Sequence, residues 1–227
     1  MHTPEVIPEL LKNVPLFNAL EPAHLEFIAA SCQLLKFNRG ENIFRRGMPV
    51  QCFYYLFSGR VKIYAMSGDG TEKVIHIASP GESFGEAAMF LDVPAPVGTQ
   101  SIHESTVLAL PRSAIYKLIE EDARIAHLML AGMSMRMHRL IQEIQAVALH
   151  SASERVIAYL LQLCSEQMDT QKITLPAKKT IIASLLNLTP ETLSRTLAKL
   201  EKQSLIVVNA TEIHITDSEK LRSTTLI

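Results

Sequence analysis

The chain is poor in the features that would place it quickly. Its three cysteines, Cys32, Cys52 and Cys164, lie far apart and form no CxxC pair, so neither a zinc site nor an iron–sulfur cluster is signalled. No apolar run approaches the ~20 residues that span a bilayer, and "MHTPEVIPELL" has no basic stretch followed by an apolar one. A reduced, cytoplasmic protein with no membrane partner is expected. P-loop, GxSxG and HExxH motifs are missing, and "EED" at 120–122 reads as a solvated helix surface, so no enzyme is expected. Charge of one sign is lacking too: 22 basic residues stand against 23 acidic ones, a net charge of −1. That balance makes no global case for nucleic acid, although a DNA-binding face needs only a local excess.

What is present falls into three segments of an α+β chain. Glycines 40, 47, 59, 68, 70, 81 and 85 punctuate short β-rich runs, "FYYLF", "RVKIYAM", "KVIHIA" and "STVLAL". This spacing predicts an antiparallel barrel or sandwich, and we assign residues 1–124 to it with flanking helices. From Arg112 to Leu149 the chain has no proline and a stripe of Leu130, Met133, Met137, Leu140, Ile144 and Val147. Steps of three and four mark a helix seam, either packed on its own domain or paired with a partner helix over 125–150. Residues 151–227 read as helices followed by "VVNATEIHI", a small hairpin around 209–211.

The richest stretch is "KKTIIASLLNLTPETLSRTLAKLEKQSLI". Ile181, Ile182, Leu185 and Leu186 give one apolar helix face; Leu193, Leu197 and Leu200 give a second. Thr189 is a natural N-cap, Pro190 suits the first helical position and Glu191 complements the dipole. Ala183, Asn187 and Leu193 meet the needs of a helix-turn-helix: a small crossing residue, a turn residue tolerant of positive φ, and an anchor. An ordinary helical hairpin would share these features. Glu191, Ser194 and Arg195 fall on one face near the helix start, where Arg can read guanine, Glu cytosine and Ser either. Thr189, Thr192, Lys178, Lys199 and Lys202 complete the expected DNA-binding set.

With "FRRGMPVQCFYYLFSGRVKIYAMSGDG", "PGESFGEAAMF" and "TPETLSRTLAKLEKQSLI" in view, the chain resembles the CRP/FNR superfamily of bacterial transcription regulators over residues 15 to 220. The resemblance implies a cyclic-nucleotide-binding-like β-roll, a long dimerisation helix and a winged helix-turn-helix. It implies a homodimer on double-stranded DNA, RNA polymerase as a further partner, and a small effector in the roll. E-x-x-S-R in the FNR branch goes with TTGAT-type half-sites, so a TTGAT/ATCAA-like palindrome is expected.

Two departures bear on the effector. Gly85 and Glu86 match the family's phosphate box, yet residues 87 to 99 hold no Lys or Arg, and Pro96 and Val97 stand where cyclic-nucleotide binders carry Arg-Ser or Arg-Thr. An anion buried without its cation costs several kcal/mol, so cyclic AMP is not expected. Residues 1–31 hold no cysteine, which argues against an oxygen-sensing iron–sulfur cluster. The chain further resembles the dissimilatory nitrate respiration regulators, which respond to nitric oxide through haem. The expected pocket comprises His76, Gly85, Glu86, Ala87, Met89, Pro96 and Val97, with Phe90 and Leu91 adding apolar surface. His76 is the candidate haem ligand. The alternative is a regulatory module that answers another small effector without haem.

Overall fold

A computed structural model describes residues 6–12, 14, 17, 20–167 and 172–223. The chain divides into two compact units, Met1–Met137 and His138–Ile227, and the boundary falls inside a long helix. Among the described residues no helix is long and apolar enough to cross a membrane.

The first unit opens with α1 (Val6–Lys12) and α2 (Pro22–Ser31). Five strands follow: β1 (Gln33–Phe37), β2 (Asn42–Phe44), β3 (Cys52–Ser58), β4 (Val61–Met66) and β5 (Glu72–Ala78). Then come β6 (Ser83–Phe84), α3 (Glu86–Leu91), β7 (Gly98–Ser101), β8 (Ser105–Pro111), α4 (Arg112–Glu121) and α5 (Ala123–Leu149). Two antiparallel sheets form, ordered β1-β8-β3-β6 and β2-β7-β4-β5. The expected antiparallel roll is present; β1, β2, β6 and β7, too short or too polar to stand out by pattern, complete it.

Alternation in β3 sorts its side chains between two cores, because successive residues of a strand face opposite ways. Phe53 and Tyr55 join Leu108, Leu110, Ile115, Leu118 and the α1–α2 residues Leu11 and Ile28 in a helix-side core. Tyr54 and Leu56 turn to the inter-sheet core of Phe44, Val61, Ile63, Phe84 and Val107. Gly59, in the β3–β4 turn at φ +90°, has no substitute: a Cβ there would lie 2.3 Å from the Glu104 carbonyl oxygen.

The segment 112–149 is not one helix. Asp122 adopts an extended backbone, closing α4, and its carboxylate accepts from the Arg124 amide at 3.0 Å and from the Arg124 guanidinium Nη2 at 2.7 Å. The acid read as a solvated surface is thus the cap that starts α5.

The second unit adds α6 (Ala152–Gln167), β9 (Lys172–Thr174), α7 (Lys179–Leu185), α8 (Pro190–Lys202), β10 (Ile206–Asn209), β11 (Glu212–Ile215) and α9 (Ser218–Ser223). The hairpin β10–β11 appears where the pattern put it, with Asn209 opposite Glu212. β9 extends it to a three-stranded sheet, β10-β11-β9, which periodicity in a three-residue strand does not reveal. Val156, Ile157 and Leu160 of α6 pack this unit together with Ile182, Leu193, Leu197, Leu200, Ile213 and Leu221, all buried.

Candidate nucleic-acid interface and effector region

α7 and α8 meet through a turn whose bonds can all be followed. Asn187 takes φ +57°; its amide donates to the Ser184 carbonyl at 3.1 Å and the Leu188 amide to the Ala183 carbonyl at 2.9 Å. This pair of bonds closes a helix on a left-handed residue, and asparagine tolerates that conformation better than most. Ala183 is fully buried and Leu193 is 2% exposed, so the small residue and the anchor sit inside the unit. Ile182 is buried with them, whereas Ile181, Leu185 and Leu186 are half-buried.

Thr189 caps α8: its Oγ1 accepts from the Thr192 amide at 3.1 Å, and Pro190 follows at the first helical position. Glu191, Ser194 and Arg195 are exposed on the face away from Leu193 and Leu197. The Glu191 carboxyl is held below its ordinary range by its own backbone N–H and then by the Thr189 hydroxyl, so it is an acceptor at neutral pH. Lys178, Lys199 and Lys202 are exposed, the last two in the final turn of α8, where cations suit the dipole. Glu201 Oε1 accepts from the Val208 amide at 2.8 Å and ties the hairpin to the end of α8. Sequence reasoning passed over this tie. It passed over Arg155 as well, whose neighbour Glu154 forms a capping box with Ser151 (Ser151 N to Glu154 Oε2, 2.6 Å) that the S-x-x-E spacing signals.

The six residues expected to form a seam are exposed in the single chain. Leu130, Met133, Met137, Leu140, Ile144 and Val147 are between 39% and 68% exposed, a run of apolar surface far beyond scattered single residues. The start of α5 is anchored by Ile125 in the helix-side core, with Met129 packed against it.

In the roll, Gly85 takes φ +95° at the start of α3. The residues expected to share a pocket face several ways. Glu86 is half-buried, Ala87 and Pro96 are exposed, Val97 is half-buried against the inter-sheet core, and Met89 is buried in the helix-side core. Phe90 packs against the helix-side core and Leu91 is exposed. Over Gly85 the rings of Phe44, Tyr54 and Phe84 gather, Tyr54 and Phe84 stacked at 5.5 Å. His76 shares a sheet face with its cross-strand partner Ile63, and its Nε2 lies 3.0 Å from Glu82 Oε2, which also accepts from the Ser79 amide at 2.8 Å. His76 Nε2 is engaged by the Glu82 carboxylate, a contact compatible with metal ligation through the other ring nitrogen. Among the described residues no group of three His, Cys, Asp or Glu could hold a metal ion. His127 and His138 on α5 are exposed. Arg112 reaches Asp92, just past α3, at 2.6 Å, while Arg45, Arg46, Gly47, Tyr64, Met66 and Gly98 line an open cleft of about 410 Å³.

Comparison with known proteins agrees with this architecture. Residues 34–122 match the cyclic nucleotide-binding domain family, and residues 154–224 the Crp-like helix-turn-helix domain family. The nitrogen fixation regulation protein FixK of Rhizobium meliloti (strain 1021) is 33% identical over 186 residues, 81% of this chain and 83% of that protein. The chain belongs to the CRP/FNR superfamily of bacterial transcription regulators. Among solved structures of the superfamily, DNR from Pseudomonas aeruginosa is 33% identical with a TM-score of 0.53, covering 98% of this chain and 99% of its own. FixK2 from Bradyrhizobium japonicum, 23% identical over 85% of this chain and 96% of its own, shares the fold at a TM-score of 0.77. A CRP-like cAMP-activated global transcriptional regulator of Mycobacterium tuberculosis (strain ATCC 25618 / H37Rv) is 27% identical over 94% of this chain and 97% of that protein. The protein is accordingly a DNA-binding transcription regulator of the CRP/FNR type with an effector-binding domain.

Proposed function

We propose that this regulator works as a homodimer in the cytoplasm, joined along α5, and reads a TTGAT/ATCAA-like palindrome with one α8 in each half-site. In this reading residues 1–124 sense, 125–150 pair and 151–227 bind DNA, with RNA polymerase as a further partner. The observation that carries it is the exposed trio Glu191, Ser194 and Arg195 on a capped helix whose opposite face is buried. A bidentate guanidinium, a carboxylate acceptor and a hydroxyl supply base-reading chemistry, while Thr189, Thr192, Lys178, Lys199 and Lys202 hold the backbone. The bare stripe of α5 supports pairing, because a second copy would bury it.

The effector acts by binding one dimer arrangement more tightly than another, which is the sole means by which a ligand shifts such an equilibrium. Cyclic AMP is not that effector: Pro96 and Val97 offer neither a cation nor a side-chain donor to a phosphate. Likeness to nitric-oxide-responsive regulators favours nitric oxide at a haem. The division of Met89 and Val97 between two cores favours a second reading, a small effector without haem. Fluorescence anisotropy with a labelled palindrome and a scrambled duplex at fixed salt tests the first claim; equal affinity for the two duplexes rejects it. An absorption spectrum of protein prepared with haem available, taken anaerobically with and without nitric oxide, separates the two effectors: a nitric-oxide-sensitive haem band supports the first, and its absence the second.

A further inference from the structure

One guanidinium lies between the end of the long helix and the turn of the DNA-binding motif. Arg155, at the close of the first turn of α6, donates from Nη1 to the carbonyls of Val147 at 3.4 Å and His150 at 3.2 Å. Its Nη2 donates to the carbonyl of Asn187 at 3.5 Å. Val147 belongs to the last turn of α5, where carbonyls lack intrahelical partners; Asn187 is the left-handed residue that ends α7. Both are negative ends of helices, so a cation between them is favoured twice. The base from which Arg155 projects is itself fixed, because the Ser151–Glu154 capping box sets the start of α6.

We propose that Arg155 is a positioning residue that sets the angle between the C-terminal half of α5 and the helix-turn-helix, and thereby the half-site spacing the regulator accepts. The inference rests on the paired-α5 reading above. In a dimer joined along α5, the distance between the two α8 helices follows from how each helix-turn-helix is held on its own α5. The bonds from Arg155 are strands of that hold, and they reach the turn that launches α8 without touching Glu191, Ser194 or Arg195. Guanidinium geometry matters here: a planar fork serves carbonyls on two sides at once, whereas an ammonium is a point charge on a flexible stem. Lysine would keep the charge and lose the fork.

The experiment uses the full chain, as wild type, Arg155→Lys and Arg155→Gln, against palindromes whose half-sites are separated by the preferred spacer and by one or two base pairs more or fewer. A duplex carrying a single half-site is the control. Wild type is expected to discriminate sharply among spacers. Both variants should lose roughly tenfold of that discrimination, the size expected when a charge-assisted bond is removed, while binding the single half-site within about twofold of wild type. Unchanged spacer discrimination in a folded variant overturns the assignment. So does an equal loss at every spacer and at the single half-site, which is what a merely structural residue would give. Two substitutions are used so that unfolding of one leaves the other to decide, and unfolding of both identifies Arg155 as structural and overturns the assignment. A wild-type chain indifferent to spacing would instead remove the paired reading, and the proposed role with it.

Discussion

Replacing Thr189 by alanine removes the capping hydrogen bond at the start of α8, together with the hydroxyl's contacts to Thr192 Oγ1 and the Glu191 carboxyl, and leaves the buried contacts of α8 in place. The bond is 3.1 Å long, from the Thr192 amide to Thr189 Oγ1, and it lies at an exposed helix end. Water can replace part of it, so the cost belongs near the middle of the range for lost caps, about 1 kcal/mol. The unit stays folded, since Leu193, Leu197 and Leu200 still bury their side chains. What changes is the first turn, which opens about fivefold more often for a cost of that size. Hydrogen exchange at the Thr192 amide reads this directly: about fivefold faster in Thr189→Ala, unchanged in Thr189→Ser. DNA affinity should fall in parallel, because Glu191 and Ser194 ride on that turn. Thr189→Asp separates the cap from a backbone contact. It restores protection, since aspartate caps well, yet it weakens DNA binding by placing a carboxylate beside a phosphate. If Thr192 exchange and DNA affinity were both unaltered in Thr189→Ala, the claim that the cap organises the reading face would be wrong.

Further outcomes are expected on the same reasoning. Arg195→Ala should cost about 1–3 kcal/mol on the palindrome and little on random duplex, whereas Lys178→Ala should weaken both alike and lower the salt slope by about one; equal losses on both duplexes for Arg195→Ala would refute its role as a base reader. Leu140→Glu should abolish self-association in sedimentation measurements and reduce palindrome affinity with it, because it sets a charge in the exposed stripe; a stable dimer would contradict the seam. Asp122→Asn tests the α4–α5 cap through pH. Hydrogen bonds from Arg124 hold the Asp122 carboxyl at about 2 against an ordinary 3.8, so its stabilisation is present above 3.8 and is lost as pH falls through about 2. The melting-temperature gap between wild type and variant should therefore be full at neutral pH and close on acidification toward pH 2; a gap that persisted would show that Asp122 ionisation is not its source.

The DNA-binding motif was legible in the chain because its determinants are local. N-cap, proline at the first helical position, left-handed asparagine and the spacing of leucines each act within a few residues, so Thr189, Pro190, Asn187 and Leu193 take the expected roles. Glycine punctuation and β-rich runs likewise announced the antiparallel roll, and the step pattern of Leu130 to Val147 announced a helix with an apolar stripe. Other features are decided by pairing between distant segments. β9 is a strand only because Glu212 and Ile213 lie beside Thr174 and Ile173. Met89 and Val97, eight positions apart in an expected pocket, separate into two cores because the sheet and α3 divide the roll. His76 acquires Glu82 as a partner, and Arg155 collects Val147, His150 and Asn187, through folding alone. Short-range propensity and capping depend on neighbours in the chain and can be read there; contacts across a sheet or between helix ends depend on register and angle, which only the packed structure supplies.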